Sequence, residues 1–106
     1  MVVGHMGETP PFMIERVDAM PQAMTKLRKP VSAYLRENVH YTFSGFNFLP
    51  VFMNLLLEVG VERIMFSADY PYQSMAQARA FLEQIPVSAA DKERIAHRNA
   101  ERLFRL

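Results

Sequence analysis

Apolar residues occur in short blocks along the chain, and the spacing within each block predicts an element. Met1-Val2-Val3 is apolar from the first residue and suits a buried strand that Gly4 ends. His5 then stands at the C-terminal tip of that strand. Pro10-Pro11 is a common way into a helix, and Phe12, Met13, Val17 and Met20 recur at helical spacing through Ala19. Pro21 interrupts that helix, and Lys26 to Pro30 reads as a basic loop. Ser32 is placed to cap a short helix running to Arg36. From Val39 the period changes to two: Val39, Tyr41 and Phe43 fall on one face, His40, Thr42 and Ser44 on the other. This predicts a strand ended by Gly45. Leu49 to Val59 is apolar on nearly every side, the mark of a helix buried on more than one face, and Gly60 suits its C-terminal stop. Arg63 to Ala68 reads as a third strand with Asp69 at its C-terminal end. Ser74 to Ile85 is an amphipathic helix stopped by Pro86. Ser88 and Asp91 have capping-box spacing for a helix to His97, and Asn99 is a candidate cap for a last short helix.

Strands separated by helices imply parallel βαβ units. Three such units make an α/β layer but not a closed barrel. The 106 residues allow one domain, and a chain of this size buries roughly 65% of its unfolded surface. Half the residues are apolar, 22% are charged and the net charge is +1, an ordinary globular balance. Basic and acidic residues are interleaved, which gives no electrostatic footprint for nucleic acid. No apolar run reaches the ~18 residues of a membrane span, and no signal peptide is evident. The chain has no Cys, which removes disulfides and thiolate metal sites and makes the cytoplasm the default expectation. The eight Met residues are expected to fill irregular core gaps.

In parallel α/β layers, ligands bind at the carboxyl ends of the strands. His5 and Asp69 both lie there, and Glu8 follows His5 by three residues. A carboxylate so placed can fix the imidazole tautomer, which suits general acid/base work. Asp69 is also a hard oxygen ligand for Zn²⁺, Mn²⁺ or Mg²⁺. One His and one Asp are too few for a complete metal site, and no His-x-His or His-Glu-x-x-His occurs. Plainer readings stand beside these. His5 can simply donate to a backbone carbonyl, and Asp69 can cap the turn at Tyr70-Pro71. His40 reads as a polar strand residue and His97 as a solvated one. Arg16 and Asp18 read either as a surface pair or, for Arg16, as a guanidinium aimed at an acidic substrate.

Several ordered blocks carry a family resemblance. Val3-Gly4-His5-Met6-Gly7-Glu8, Pro11-Phe12 and Arg16-Val17-Asp18 come first. Asn38 to Gly45, Gly60 to Pro71 and Ile95 to Leu106 follow in the same order. Together they resemble the amidohydrolase-related family, in the branch of the aminocarboxymuconate-semialdehyde, γ-resorcylate and 2,3-dihydroxybenzoate decarboxylases. The resemblance implies a partial TIM barrel, with three parallel strands in barrel positions six to eight, flanked by helices, over residues 1–106. It implies Asp69 as a metal ligand, His5 as the catalytic His and Glu8 as its supporting carboxylate; Arg16 falls near the site's rim. It also implies a divalent metal, Zn²⁺ first with Mn²⁺ or Mg²⁺ as alternatives. The implied chemistry is decarboxylation of an aromatic or unsaturated carboxylic acid, or hydrolysis. The remaining metal ligands of the family lie in a region this chain does not contain, so the isolated chain is expected to be inactive. A non-catalytic chain that self-associates, or that completes a barrel with a partner, is the alternative.

Overall fold

A computed structural model describes all 106 residues. Three parallel strands form one sheet in the order β1-β2-β3: β1 is Val2–Val3, β2 is His40–Thr42 and β3 is Ile64–Met65. Val2 pairs with His40 and Val3 with Tyr41; Tyr41 pairs with Ile64 and Thr42 with Met65. Parallel strands cannot be joined by a tight turn, so every crossover is helical. Between β1 and β2 lie a 3-10 turn at Pro10–Met13 and helices α1 (Ile14–Asp18), α2 (Gln22–Thr25) and α3 (Val31–Asn38). Helix α4 (Leu49–Val59) joins β2 to β3. After β3 come α5 (Met75–Gln84), α6 (Ala89–Glu93), a π-helical turn at Arg94–Arg98 and α7 (Asn99–Phe104). No helix is long and apolar enough to cross a membrane.

The period-two pattern of β2 decides where the core sits. Val39, Tyr41 and Phe43 are all buried. Phe43 meets Phe52 of α4, Phe81 of α5 and Phe66 edge-on, with ring centroids 5.4–6.0 Å apart. Edge-to-face packing of this kind adds to the area term. Leu55, Ile64, Ile85 and Ile95 complete the same cluster. Tyr41 keeps its hydroxyl satisfied by donating to the Leu35 carbonyl at 3.1 Å, and burial pushes its pKa up.

Several expectations are corrected in detail. Phe12 and Met20 do not line a buried helical face; they are exposed, and Ile14 and Pro11 are buried instead. The reason is that Pro10–Met13 winds as a 3-10 turn, which rotates the face before α1 begins. Ser32 is not the cap of α3, because that helix starts at Val31 after an extended Pro30. Its backbone N–H is capped from α1, by Asp18 Oδ1 at 2.9 Å. Hydrogen bonds from Ser32 hold the Asp18 carboxyl below the usual carboxylate range. Asn99 caps nothing: its backbone is helical and its amide donates to the carbonyls of Val61 and Ile64, each at 2.8 Å. The π-helical turn places Ile95 O where it accepts from Phe66 N at 2.8 Å. These bonds satisfy β3 from the helix side, so the strand ladder is two residues long where six apolar-leaning positions predicted more. Val2 is exposed rather than buried, and Leu57 of α4 is 80% exposed. The cap at Ser88 forms as expected, accepting from Asp91 N, and Ser74 caps α5 by accepting from Gln77 N.

Two outcomes follow from this packing. Phe43→Ala is expected to cost about 3–5 kcal/mol of stability, read as a lower urea midpoint, because three aromatic partners lose their common neighbour. His40, buried at the other end of β2, has its pKa lowered below 6.5, first by burial and then by Arg63, the N-terminal ammonium and Arg102. Above 6.5 both folded and unfolded chains hold it neutral. As pH falls below 6.5 the unfolded chain takes a proton that the folded chain refuses, and stability drops until the folded value is reached. His40→Gln is expected to flatten that drop in urea titrations run between about pH 7 and about pH 5.

Candidate active site at the carboxyl ends of the strands

Beyond β1 the backbone turns left-handed. His5, Met6, Gly7 and Glu8 have φ of 49°, 51°, 76° and 52°. Each non-glycine residue in this region costs on the order of 1–2 kcal/mol, so something must hold the turn. Gly7 N donates to Gly4 O and Glu8 N to His5 O, both at 2.9 Å. Met6 is 1% exposed, and burying such a side chain contributes roughly 1.5–3 kcal/mol. Gly7 lies so close to Pro11 and the Tyr41 ring that a Cβ there would sit 2.8 Å from each. The turn therefore anchors Met6 inward and leaves His5 and Glu8 facing outward together.

Glu8 Oε1 stands 3.2 Å from His5 Nδ1, and Asp69 Oδ2 stands 3.9 Å from His5 Nε2. The imidazole thus lies between two carboxylates. The plainer reading of His5, a donor to a backbone carbonyl, is not what the structure shows. Asp69 also has a left-handed backbone, φ 68°. Its carbonyl, not its carboxylate, closes the Tyr70-Pro71 turn by accepting from Tyr72 N at 2.9 Å and Gln73 N at 3.1 Å. The carboxylate stays free for His5. Side-chain exposures of 45%, 68% and 35% for His5, Glu8 and Asp69 leave the group open to solvent.

Arg16 is not brought to this group. It lies on α1 in a separate groove with Met13, Val17 and Met20. His97 pairs with Glu101 at 2.9 Å on the outer surface, as a solvated residue would. Three features escaped the sequence. Phe46 packs edge-on against the His5 ring, with centroids 6.3 Å apart. A cleft of about 590 Å³, lined by Glu8, Phe12, Phe46 and Val51 among others, adjoins it. Thr42, Ser44 and Ser67 form a hydroxyl chain beside the group. Alternation placed Thr42 and Ser44 on one face, but only the register brings Ser67 to them.

As a metal site the donor set is short. A catalytic zinc usually has three protein ligands. No group of three or more His, Cys, Asp or Glu side chains is placed to hold an ion. The residues of this chain do not fit a complete metal site, and no chemical step below runs through one.

A parallel sheet with helical crossovers, and ionisable residues gathered at the strand ends, defines an α/β layer of the kind that makes up a (β/α)₈ barrel. The sequence and structure comparisons agree with this. The amidohydrolase family model matches residues 1–106, and the chain belongs to that family. It is 34% identical over 112 residues to the γ-resorcylate decarboxylase of Rhizobium radiobacter, a match covering 100% of this chain and 34% of the relative. The chain thus spans about a third of the length of the curated relatives it matches. A structure of 2,6-dihydroxybenzoate decarboxylase bound to 2,6-dihydroxybenzoate superposes with a TM-score of 0.88 at 34% identity, over 99% of this chain and 34% of that one. A dihydroxybenzoic acid decarboxylase from Polaromonas sp., with bound manganese and the inhibitor 2-nitroresorcinol, gives 0.87 at 30% identity, over 99% and 33%.

The geometry of the turn is directly testable. Gly7→Ala adds a left-handed alanine and a clash with Pro11 and Tyr41. It is expected to destabilise the chain by roughly 2–4 kcal/mol, with a matching fall in thermal midpoint. An unchanged midpoint would mean that the turn at His5–Glu8 is not held as described.

Proposed function

We propose that this chain supplies the proton-handling part of an active site that decarboxylates an aromatic carboxylic acid. The observation that carries the reading is the His5 imidazole held between Glu8 and Asp69 at the strand ends, in a chain of the amidohydrolase family. The relatives that share its sequence are decarboxylases. In this reading residues 1–106 form one part of a (β/α)₈ barrel, with β1 to β3 in strand positions six to eight.

In such a reaction the bond between the ring and the carboxylate breaks. Its electron pair stays on the ring carbon, CO₂ leaves, and the carbon takes a proton. The chain's task is to deliver that proton. Glu8 at His5 Nδ1 favours a proton on that nitrogen and directs Nε2 at Asp69. A proton carried on His5 Nε2, which faces Asp69 Oδ2 across 3.9 Å, is the supply for the ring carbon. General acid catalysis of this kind contributes about 10²–10⁴-fold. Asp69 is also the ligand this chain would offer to a divalent cation whose other ligands lie outside these residues. Zinc suits a carboxylate and imidazole donor set, and the manganese in the Polaromonas relative makes Mn²⁺ the alternative.

The test is a chimera in which residues 1–106 replace the matched third of the Rhizobium radiobacter enzyme. With added Mn²⁺ or Zn²⁺ it is expected to release CO₂ from 2,6-dihydroxybenzoate. Asp69→Asn and His5→Gln are each expected to lower kcat by about 10²–10⁴-fold. The isolated chain is expected to lose added metal on desalting. A folded, metal-loaded chimera that releases no CO₂ from any aromatic acid would sink the reading.

A further inference from the structure

His5 and Asp69 come from the two outer strands, which do not touch; β2 lies between them. Nothing in the backbone ladder fixes their separation, because pairing ends at Val3–Tyr41 on one side and Thr42–Met65 on the other. The spacing of the pair must therefore be set through the middle strand.

Carrying the Thr42–Met65 register two residues further puts Ser44 opposite Ser67. There the ladder is replaced by hydroxyls. Ser44 N donates to Ser67 Oγ at 2.8 Å, and the two Oγ atoms lie 3.0 Å apart. Ser44 Oγ in turn is 2.8 Å from Thr42 Oγ1. An assignment that uses every group has the Ser67 hydroxyl donating to Ser44, and Ser44 donating to Thr42. Ser44 has φ 46° and Gly45 φ 77°, so the chain leaves the strand direction at this point. Ser67 is two residues before Asp69. Gly45 packs so closely on Gln73 that a Cβ there would overlap its side chain, and Gln73 N belongs to the turn closed by Asp69 O. On the opposite side, a Cβ on Gly4, the residue before His5, would be 3.0 Å from Ser44 Oγ. The end of β2 thus touches the residue preceding His5 on one side and the turn bearing Asp69 on the other.

We infer that Ser44 and Ser67 are positioning residues that set the distance between His5 and Asp69 through the Ser44 hydroxyl and amide. The inference rests on the proposed proton-handling role of that pair, although its structural readout does not. Neither serine contributes a group to the trio. Their hydroxyls act by fixing two turns whose left-handed backbones would otherwise relax.

The experiment compares Ser67→Val with Ser67→Thr. The two side chains have nearly the same shape and differ in the hydroxyl, so a packing effect moves both equally. In the purified chain, Ser67→Val is expected to speed hydrogen exchange of the Ser44 amide by about tenfold. It is also expected to shift the NMR signals of the His5 ring and the Asp69 carboxyl together. Ser67→Thr is expected to restore all three. In the chimera, Ser67→Val is expected to lower kcat by roughly 10–100-fold with KM little changed, again with rescue by Thr. Ser44→Ala, which removes a single oxygen, serves if the branched variants fail to fold, and is expected to move the His5 and Asp69 signals in concert. Equal exchange and equal shifts in the Val and Thr variants, or a Ser44→Ala that moves only one partner, would overturn the inference. A chimera with no activity at all would remove the decarboxylase reading and leave the exchange and NMR result to decide this one.

Discussion

In a parallel sheet the register decides which strand ends lie side by side, and here it decides almost everything about the site. Val2 against His40 and Tyr41 against Ile64 bring three strand ends to one edge of the sheet. Helical crossovers return the chain to the opposite edge each time. The register itself is held by the apolar side of β2. Tyr41 and Phe43 face the helices, and a one-residue slip would exchange them for His40 and Thr42. Phe43, in contact with α4, α5 and Phe66, makes that exchange prohibitive.

Strain is placed where the candidate chemistry is. Left-handed non-glycine residues occur at the end of each strand: His5, Met6 and Glu8 after β1, Ser44 after β2, Asp69 after β3. Such residues persist only when their surroundings over-determine them. Met6 does this by burial, Gly7 by its close approach to Tyr41, and Ser44 by its bonds to Ser67.

The trio itself is open to water, with the imidazole 45% exposed. Exposed ion pairs are screened and contribute little to stability. The same pair in a water-excluded site interacts far more strongly. The arrangement therefore contributes little to holding the fold.

Apart from the short helix α2 after Pro21, the alternation of strands with helices, the centre of β2, and the stops at Gly60 and Pro86 were legible in the sequence, because they depend on local periodicity and on backbone chemistry. So were His5, Glu8 and Asp69 as candidates, since two of them stand at strand ends and the third is three residues away. The cap of α6 was legible for the same local reason. What escaped were interactions between segments distant in sequence. Asp18 caps α3 across 14 residues, Asn99 stitches a helix to β3 across 35, and Ser67 bonds Ser44 across 23. Each uses a residue type whose nearest-neighbour reading was plausible and different: a surface pair, a helix cap, an unremarked strand position. Sequence alone determined which segments become strands and helices and which ionisable side chains end up near their tips. Only the tertiary structure decided which tips meet and at what spacing, because register, left-handed turns and close glycine contacts are set by packing between elements and leave no periodic trace along the chain.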